Sequence, residues 1–295
     1  MTFGPDRFTL TYAQQSTTAP SKKSDSEHRA ENKKANDSKA ANKSEPKSAE
    51  HTVTVAESDG RNCHLGASSF FNIREANPDV AKNEWEFETT FAWKTNSDGS
   101  DDDVGPAVAL YYGLDDDAFI ELEVMYLNLG DGGDQGNGDL ELTYFRRHIC
   151  EGDVMPAFAT RWSLRIPSGE GSSGVDGEAH FILTKTLAPN FRAHLDGFIE
   201  SANGGRGDED IDRRYFQWGV GPGFDYSLSE STLLLMNYLH RCSEFEGNHN
   251  LNILQFGVVQ ALGENMALKA AFDVGLDGAE ETPNFGAKLL WSIEF

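Results

Sequence analysis

Apolar and polar residues alternate along most of the chain after residue 84. In the stretch from Phe119 to Leu127, for example, apolar side chains alternate with two glutamates. The alternating segments are 84–95, 104–114, 118–129, 139–149, 155–166, 177–187, 191–201, 213–226, 231–242, 250–261, 265–276 and 283–295. A period of two predicts β-strands with one apolar and one polar face. Their length of about ten residues suits strands that cross a bilayer, which need ~9–11 residues.

The connections between these segments alternate between long and short. The long ones are 95–103, 130–138, 167–176, 202–212, 243–249 and 277–282, and the short ones are 115–117, 150–154, 188–190, 227–230 and 262–264. This order predicts up-and-down strands, with short turns in the periplasm and long loops outside. Greek-key sandwiches give no reason for such sorting. We therefore predict an all-β fold, an antiparallel up-and-down transmembrane β-barrel of about twelve strands.

The chain before the barrel differs in composition. Residues 1–51 are rich in Ser, Ala, Asn, Lys and Glu without periodicity, which predicts a disordered low-complexity arm. Residues 52–83 are predicted to form a periplasmic transition segment, with a short strand at 51–55 and a turn of helix near 73–76. The barrel is assigned to residues 84–295. Residues 1–13 lack the basic region and the long apolar stretch of an ordinary signal peptide.

Charge and cysteine content exclude several classes of function. The formal net charge of −23 argues against a nucleic-acid partner, because phosphates would be repelled. The three cysteines, Cys63, Cys150 and Cys242, do not have metal-ligand spacing, so neither a metal nor a cofactor is expected. Cys150 and Cys242 are predicted at opposite ends of the barrel, whereas Cys63 and Cys150 lie on the same side and could pair.

One hairpin carries a resemblance to a known family. Residues Arg214–Ser243 contain a Gly-x-Gly strand, a Tyr-x-Leu-Ser turn and a Leu-rich strand that ends in Tyr-x-His-x-x-Ser. This resembles the signature of the outer-membrane family named for the "MetA pathway of phenol degradation", and Leu164–Gly169 resembles that family's Pro-x-Gly strand end. The resemblance implies a channel or transporter of the Gram-negative outer membrane, with its N-terminus in the periplasm. It implies passive uptake of small aromatic or otherwise hydrophobic solutes.

The last strand is similar to the assembly signal of outer-membrane barrels. Apolar residues alternate up to an aromatic carboxy-terminus, and the candidate signal consists of Leu289, Trp291, Ile293 and Phe295. The partners implied are the barrel-assembly machinery, outer-membrane lipid, lipopolysaccharide and a small-molecule solute.

The polar face of the predicted strands should line the lumen. The lumen candidates are Glu86, Glu88, Glu121, Glu123, Glu141, Arg147, Arg161, Arg165, His180, His194, Asp196, Glu200, Asn237, Arg241, Lys269, Asp273 and Lys288. One interpretation is a structural salt-bridge network that fills a narrow barrel. The other is a polar pore whose acidic side, from Glu86 to Glu141, faces a basic side that includes Arg161 and Arg165.

Other functions remain open at this point. The alternatives are a soluble or extracellular ligand-binding β-protein, and a structural outer-membrane barrel with a plugged lumen. An enzyme is not expected: His240 and Ser243 form the one tempting pair, and the sequence offers no evident acidic or amide group to orient the histidine. Pro222 falls inside a predicted strand, where it cannot donate a ladder hydrogen bond, and predicts a bulge or a local opening.

Overall fold

The computed structural model arranges the alternating segments side by side as β-strands. The structure describes residues 66–95, 103–124, 138–169, 174–201, 214–277 and 283–295. Each of the twelve predicted segments corresponds to one strand, so the prediction is confirmed. The strands are β1 (Trp85–Thr95), β2 (Asp103–Asp115), β3 (Ala118–Val124), β4 (Leu140–Ile149), β5 (Ala157–Ile166), β6 (Asp176–Ala188), β7 (Phe191–Ser201), β8 (Phe216–Ser229), β9 (Thr232–Arg241), β10 (Leu251–Ala261), β11 (Met266–Gly275) and β12 (Phe285–Glu294).

The strands form one closed antiparallel barrel in which each strand pairs with its neighbours in sequence, and β1 pairs with β12. At this seam Phe87 pairs with Ile293. Just beyond it, the backbone N of Trp85 lies 3.1 Å from the O of Phe295, and the N of Phe295 lies 2.9 Å from the O of Trp85. Closure leaves no strand edge with unpaired backbone groups, which is the condition for a sheet to span hydrocarbon.

The alternation in the sequence becomes an apolar outside and a polar inside. Large apolar side chains remain exposed on the outward face of strands all around the barrel. They include Phe91, Val108, Leu122, Leu142, Trp162, Phe181, Leu195, Val220, Met236, Phe256, Phe272 and Leu289. The interleaved ionisable side chains are buried in the interior. The outer surface therefore suits lipid, as in membrane barrels. Among the described residues, no helix is long and apolar enough to cross a membrane.

The ladders are irregular at the short turns and at Pro222. The register shifts in β2, β4, β6 and β8, in each case at the strand end that leads into a short turn. The β8–β9 ladder pairs Val220 with His240 and resumes at Gly223 with Asn237. The strands keep one register across this interval, so the local opening expected at Pro222 is confirmed and no bulge accompanies it.

Residues 66–80 lie inside the barrel, and we call them the lumen segment. The backbone N of Glu75 donates a hydrogen bond of 2.8 Å to the O of Ala67, which closes the segment into a loop. Bends replace the helical turn predicted near residues 73–76, so that prediction is wrong. The predicted arm, the strand at 51–55 and the start of the predicted transition segment lie outside the described residues.

Candidate functional site in the barrel lumen

The lumen wall carries a chain of ion pairs and hydrogen bonds near the start of β1. The ammonium of Lys269 lies 2.7 Å from Glu88 Oε1 and 2.9 Å from the hydroxyl of Ser68 in the lumen segment. The hydroxyl of Tyr111 lies 2.8 Å from Glu88 and 3.0 Å from Glu121. Strands β11, β1, β2 and β3 are thereby linked through buried polar groups.

Arg161 continues this network on β5. Its guanidinium lies 2.8 Å from Glu141, 3.0 Å from Glu178 and 3.9 Å from Glu121. All three carboxylates are on strands near β5, not on the opposite wall. A buried arginine with several acidic neighbours retains its charge without needing water in the lumen.

A second group lies at the long-loop end of the barrel. Arg165 lies 3.4 Å from Glu200, and Arg241 lies 3.5 Å from the same carboxylate. The Arg241 guanidinium also lies 5.8 Å from the centre of the Phe198 ring, and the centre of the His180 ring lies 5.1 Å from the same point. An aromatic ring with two basic side chains near it is thus part of the lumen wall.

These pairs change the interpretation of the lumen charge. The polar-pore interpretation set an acidic side against a basic side with Arg161 and Arg165. That separation is wrong, because each arginine is paired with carboxylates on nearby strands. The described ion pairs fit the other interpretation, a structural salt-bridge network.

Two apolar patches also face the lumen in its short-turn half, and sequence reasoning missed both. One wall patch consists of Tyr111, Phe119, Phe145, Ala109, Ala157, Ala159 and Ile182, against Ala76 and Val80 of the lumen segment. The other consists of Leu233, Leu235, Val259, Ala267, Ala271 and Leu290, against Ala67, Phe70 and Phe71. The signal was present in runs such as 233–236, where both faces of the strand are apolar. The lumen candidates drawn from the sequence are all polar or charged, so these apolar residues are not among them.

Ion pairs hold the lumen segment to β7 and β8. The guanidinium of Arg192 bonds to Glu75 of the segment and to Asp225 of β8. His194 Nε2 lies 2.9 Å from Asp225, and its Nδ1 lies 2.9 Å from the hydroxyl of Thr184. Because all these side chains are buried, the segment is attached by charges that would be costly to separate.

Backbone contacts and glycines complete the attachment. The N of Ala76 donates to Thr184 Oγ1 at 2.8 Å, and the N of Asn72 donates to Gln255 Oε1 at 2.9 Å. Ile73 packs against glycines in β8: a Cβ at Gly221 would lie 2.9 Å from Ile73 Cδ1. The wall is indented here, so that the tip of the loop approaches the strand backbone.

The predicted lumen residues point into the barrel. Buried there are Glu86, Glu88, Glu121, Glu141, Arg161, Arg165, His194, Asp196, Glu200, Asn237, Lys269 and Asp273. Glu123, His180, Arg241 and Lys288 are half-buried on the same face. Arg147 lies at the short-turn end, 2.8 Å from Asp117 and 2.9 Å from Asn77. Whether a solute follows these side chains stays a prediction.

The candidate assembly residues face outward on β12. Leu289, Trp291 and Phe295 are exposed and Ile293 is half-buried. Their arrangement is one continuous apolar row on the lipid side, and its role in assembly stays a prediction.

One amide orienter was missed at His240. Its Nδ1 lies 2.8 Å from Asn252 Oδ1, on the neighbouring strand. The statement that no such group is available is therefore wrong. The hydroxyl of Ser243 lies 2.9 Å from the backbone O of Phe245 and 3.0 Å from its N. This pattern is that of a turn-stabilising serine and gives no support to a nucleophile.

The structure describes two of the three cysteines and most of the potential metal ligands of the barrel. Within the described ranges, no three His, Cys, Asp or Glu side chains are grouped so as to hold a metal ion. Cys150 is an exposed free thiol and Cys242 a buried one. Cys63 lies outside the described residues, as does its predicted pairing.

Comparisons with known proteins agree on the fold. No family model matches the chain, and no curated protein sequence matches it. An outer membrane channel from Pseudomonas putida F1 aligns with a TM-score of 0.59 and 14% identity, over 75% of this chain and 98% of that one. The KdgM porin aligns with a TM-score of 0.51 and 7% identity, over 71% and 99%. The NanC porin aligns with 0.50 and 7%, over 70% and 98%. The chain therefore has the fold of outer-membrane channel barrels.

Proposed function

We propose that the protein is an outer-membrane channel or transporter for the passive uptake of small aromatic or otherwise hydrophobic solutes. The observation that carries this proposal is the pair of apolar patches on the inner wall, in a lumen lined elsewhere by ionisable side chains. The patches pack against the lumen segment, and movement of that segment would offer them to an apolar solute. The resemblance of Arg214–Ser243 to the phenol-degradation family supports the same solute class.

In this proposal the short turns and the lumen segment belong to the periplasmic side, and the long loops face outside. Lipid and lipopolysaccharide surround the apolar outer surface. The outward row of β12 is offered to the barrel-assembly machinery. We assign the protein a role in transport and not in catalysis, because the charged side chains of the lumen are paired with one another.

Passage of a solute requires the lumen segment to move, because that segment covers both patches. A cross-link between Ala76 and Thr184 tests this, since their N and Oγ1 atoms are 2.8 Å apart. We expect Ala76→Cys/Thr184→Cys, in a background without Cys63 and Cys150, to take up solute in liposomes only under reducing conditions. The single variant Thr184→Cys, treated with the same oxidant, is the control.

The alternative is a structural barrel that stays plugged. The buried attachment of Glu75 to Arg192 favours it, because such a contact opposes movement. Equal uptake by the oxidised and reduced double-cysteine variant would show that movement of the segment is not needed. No uptake by the wild-type protein, together with no single-channel conductance, would establish the plugged barrel.

A further inference from the structure

One cation of the lumen segment sits in an aromatic site on the wall. The guanidinium carbon of Arg74 lies 5.0 Å from the ring centre of Phe145 and 5.6 Å from that of Phe119. The two rings are stacked, with centroids 4.9 Å apart and planes inclined by 10°. Aromatic ring faces at this distance attract cations. We call the two rings and the space that Arg74 fills the aromatic cage.

The cage stabilises the positive charge of Arg74 but leaves some of its N–H donors without acceptors. Arg74 is 2% exposed, and Nη2 is 2.5 Å from Asp79 Oδ2. Its Nε and Nη1 have no hydrogen-bond partner within the part of the chain that the structure describes. Buried donors without acceptors are unfavourable. A cation with no N–H groups would gain the same attraction from the rings without that penalty.

The surroundings of the cage are apolar and acidic. Ala109, Ala157 and Ile182 lie in the same wall patch and are buried beside it. Glu121 follows Phe119 on the same face of β3, and its buried Oε2 accepts no hydrogen bond and lies 3.9 Å from Arg161 Nη2. A ligand with a positive head and an apolar remainder matches both features.

We propose that the aromatic cage binds the quaternary ammonium head of an amphiphilic solute, and that Arg74 fills the cage when the solute is absent. This proposal rests on the proposed transport function and adds a cationic head to its apolar solute class. Arg74 is then an intramolecular competitor, whose tether gives it a high effective concentration in the cage. Removing its side chain should expose the site to added ligand.

The probe is choline, and its uncharged isostere 3,3-dimethyl-1-butanol is the matched control. Binding is measured by titration calorimetry on the full chain, refolded in a nonionic detergent. We expect Arg74→Ala to bind choline about tenfold more tightly than the wild type, in line with the strength of a desolvated cation–π contact. Arg74→Ala/Phe145→Leu keeps an apolar side chain at position 145 but removes one ring, and should lose that gain. The alcohol lacks the positive charge, so its affinity should not rise on Arg74→Ala.

Two results would overturn the cage proposal: equal choline affinity of the wild type and Arg74→Ala, or undiminished affinity after Phe145→Leu. Heat-modifiable gel mobility verifies that each variant is folded, and Arg74→Gln replaces Arg74→Ala if the latter is not. Conductance is recorded separately on the wild type. A protein that binds choline in the cage but never conducts would retain this site and lose the channel function.

Discussion

The ring of Phe71, in the lumen segment, lies directly against the backbone of Gly257 in β10. A Cβ built at Gly257 would be 2.3 Å from Phe71 Cε1, which is too close for any real contact. Glycine is therefore required here by the close approach of the segment to the wall. The relationship means that a side chain at position 257 and the present position of Phe71 exclude each other.

Gly257→Val should displace the lumen segment. We expect the free energy of unfolding to fall by about 1–3 kcal/mol, the usual cost of overpacking. Urea unfolding in detergent gives the stability, and protease sensitivity of the full chain reports the exposure of the segment. Gly263→Val is the control, because a Cβ there has no neighbour within 4 Å. Unchanged protease sensitivity of the Gly257 variant would contradict the expected displacement.

Arg192→Leu should be strongly destabilising. The substitution leaves the buried carboxylates of Glu75 and Asp225 without their cation. Breaking one partner of a buried pair costs about 3–5 kcal/mol. Urea unfolding measures the loss, and Arg146→Leu provides the matched control. Its partner Asp115 is 42% exposed, and exposed pairs contribute about 0–1 kcal/mol. Similar losses for both variants would show that the attachment to Arg192 is weak.

The barrel could be predicted from the sequence because its two signals are local. Alternation places each side chain on one face, and loop lengths give the order of strands. The content of the lumen could not be predicted in this way. The loop of residues 66–80 is held by contacts to residues more than a hundred positions away, such as Ala76 to Thr184. The short sequence of this loop does not show that the barrel strands surround it.

The sequence predicts which strand face the charged residues of the candidate site occupy, but not which of them form contacts. Alternation places Arg161 and Glu141 on the inner side, yet their contact depends on register: Arg161 pairs with Phe145, four residues from Glu141. The residues on the inner apolar patches were missed for a different reason. Phe119 shares a strand face with Glu121, and Leu290 shares one with Lys288, but polarity identifies only the charged members of such a face as lumen residues.

Neutralising Arg161 and Arg165 should make the lumen more selective for cations. Arg161→Gln/Arg165→Gln removes two positive charges, while the carboxylates beside them, such as Glu141 and Glu200, remain. The electrostatic potential in the lumen therefore becomes more negative, which favours cations. Reversal potentials in planar bilayers under a KCl gradient measure the shift, which should shrink at about 1 M salt because of screening.

Arg146→Gln is the matched control for that experiment. Arg146 lies outside the lumen at a short turn and pairs with Asp115, so its loss should leave the reversal potential unchanged. A shift toward anions in the double variant would contradict the expected sign. No shift, in a barrel that still conducts, would show that the ion path does not pass these side chains.

The contact between Glu151 and β6 should make stability depend on pH. Glu151 accepts hydrogen bonds from the N of Thr186 at 2.8 Å and its hydroxyl at 2.9 Å, and lies 3.0 Å from the ammonium of Lys185. Partial burial opposes ionisation, but these donors together hold the pKa of Glu151 below its ordinary value. A carboxyl with a lowered folded-state pKa stabilises the protein above its unfolded-state pKa, about 4.3. That contribution is lost as the pH falls through the folded-state value.

Glu151→Gln therefore tests this turn. We expect the wild type to exceed the variant in free energy of unfolding by a constant amount above about pH 6, where the unfolded carboxyl is fully ionised. The gap should narrow steadily below about pH 4, because both proteins then carry an uncharged group at position 151. Urea unfolding of both proteins at a series of pH values measures this difference in free energy. A gap that widens on acidification would mean that the carboxyl is destabilising when ionised, and that the donors from Thr186 and Lys185 do not offset its burial.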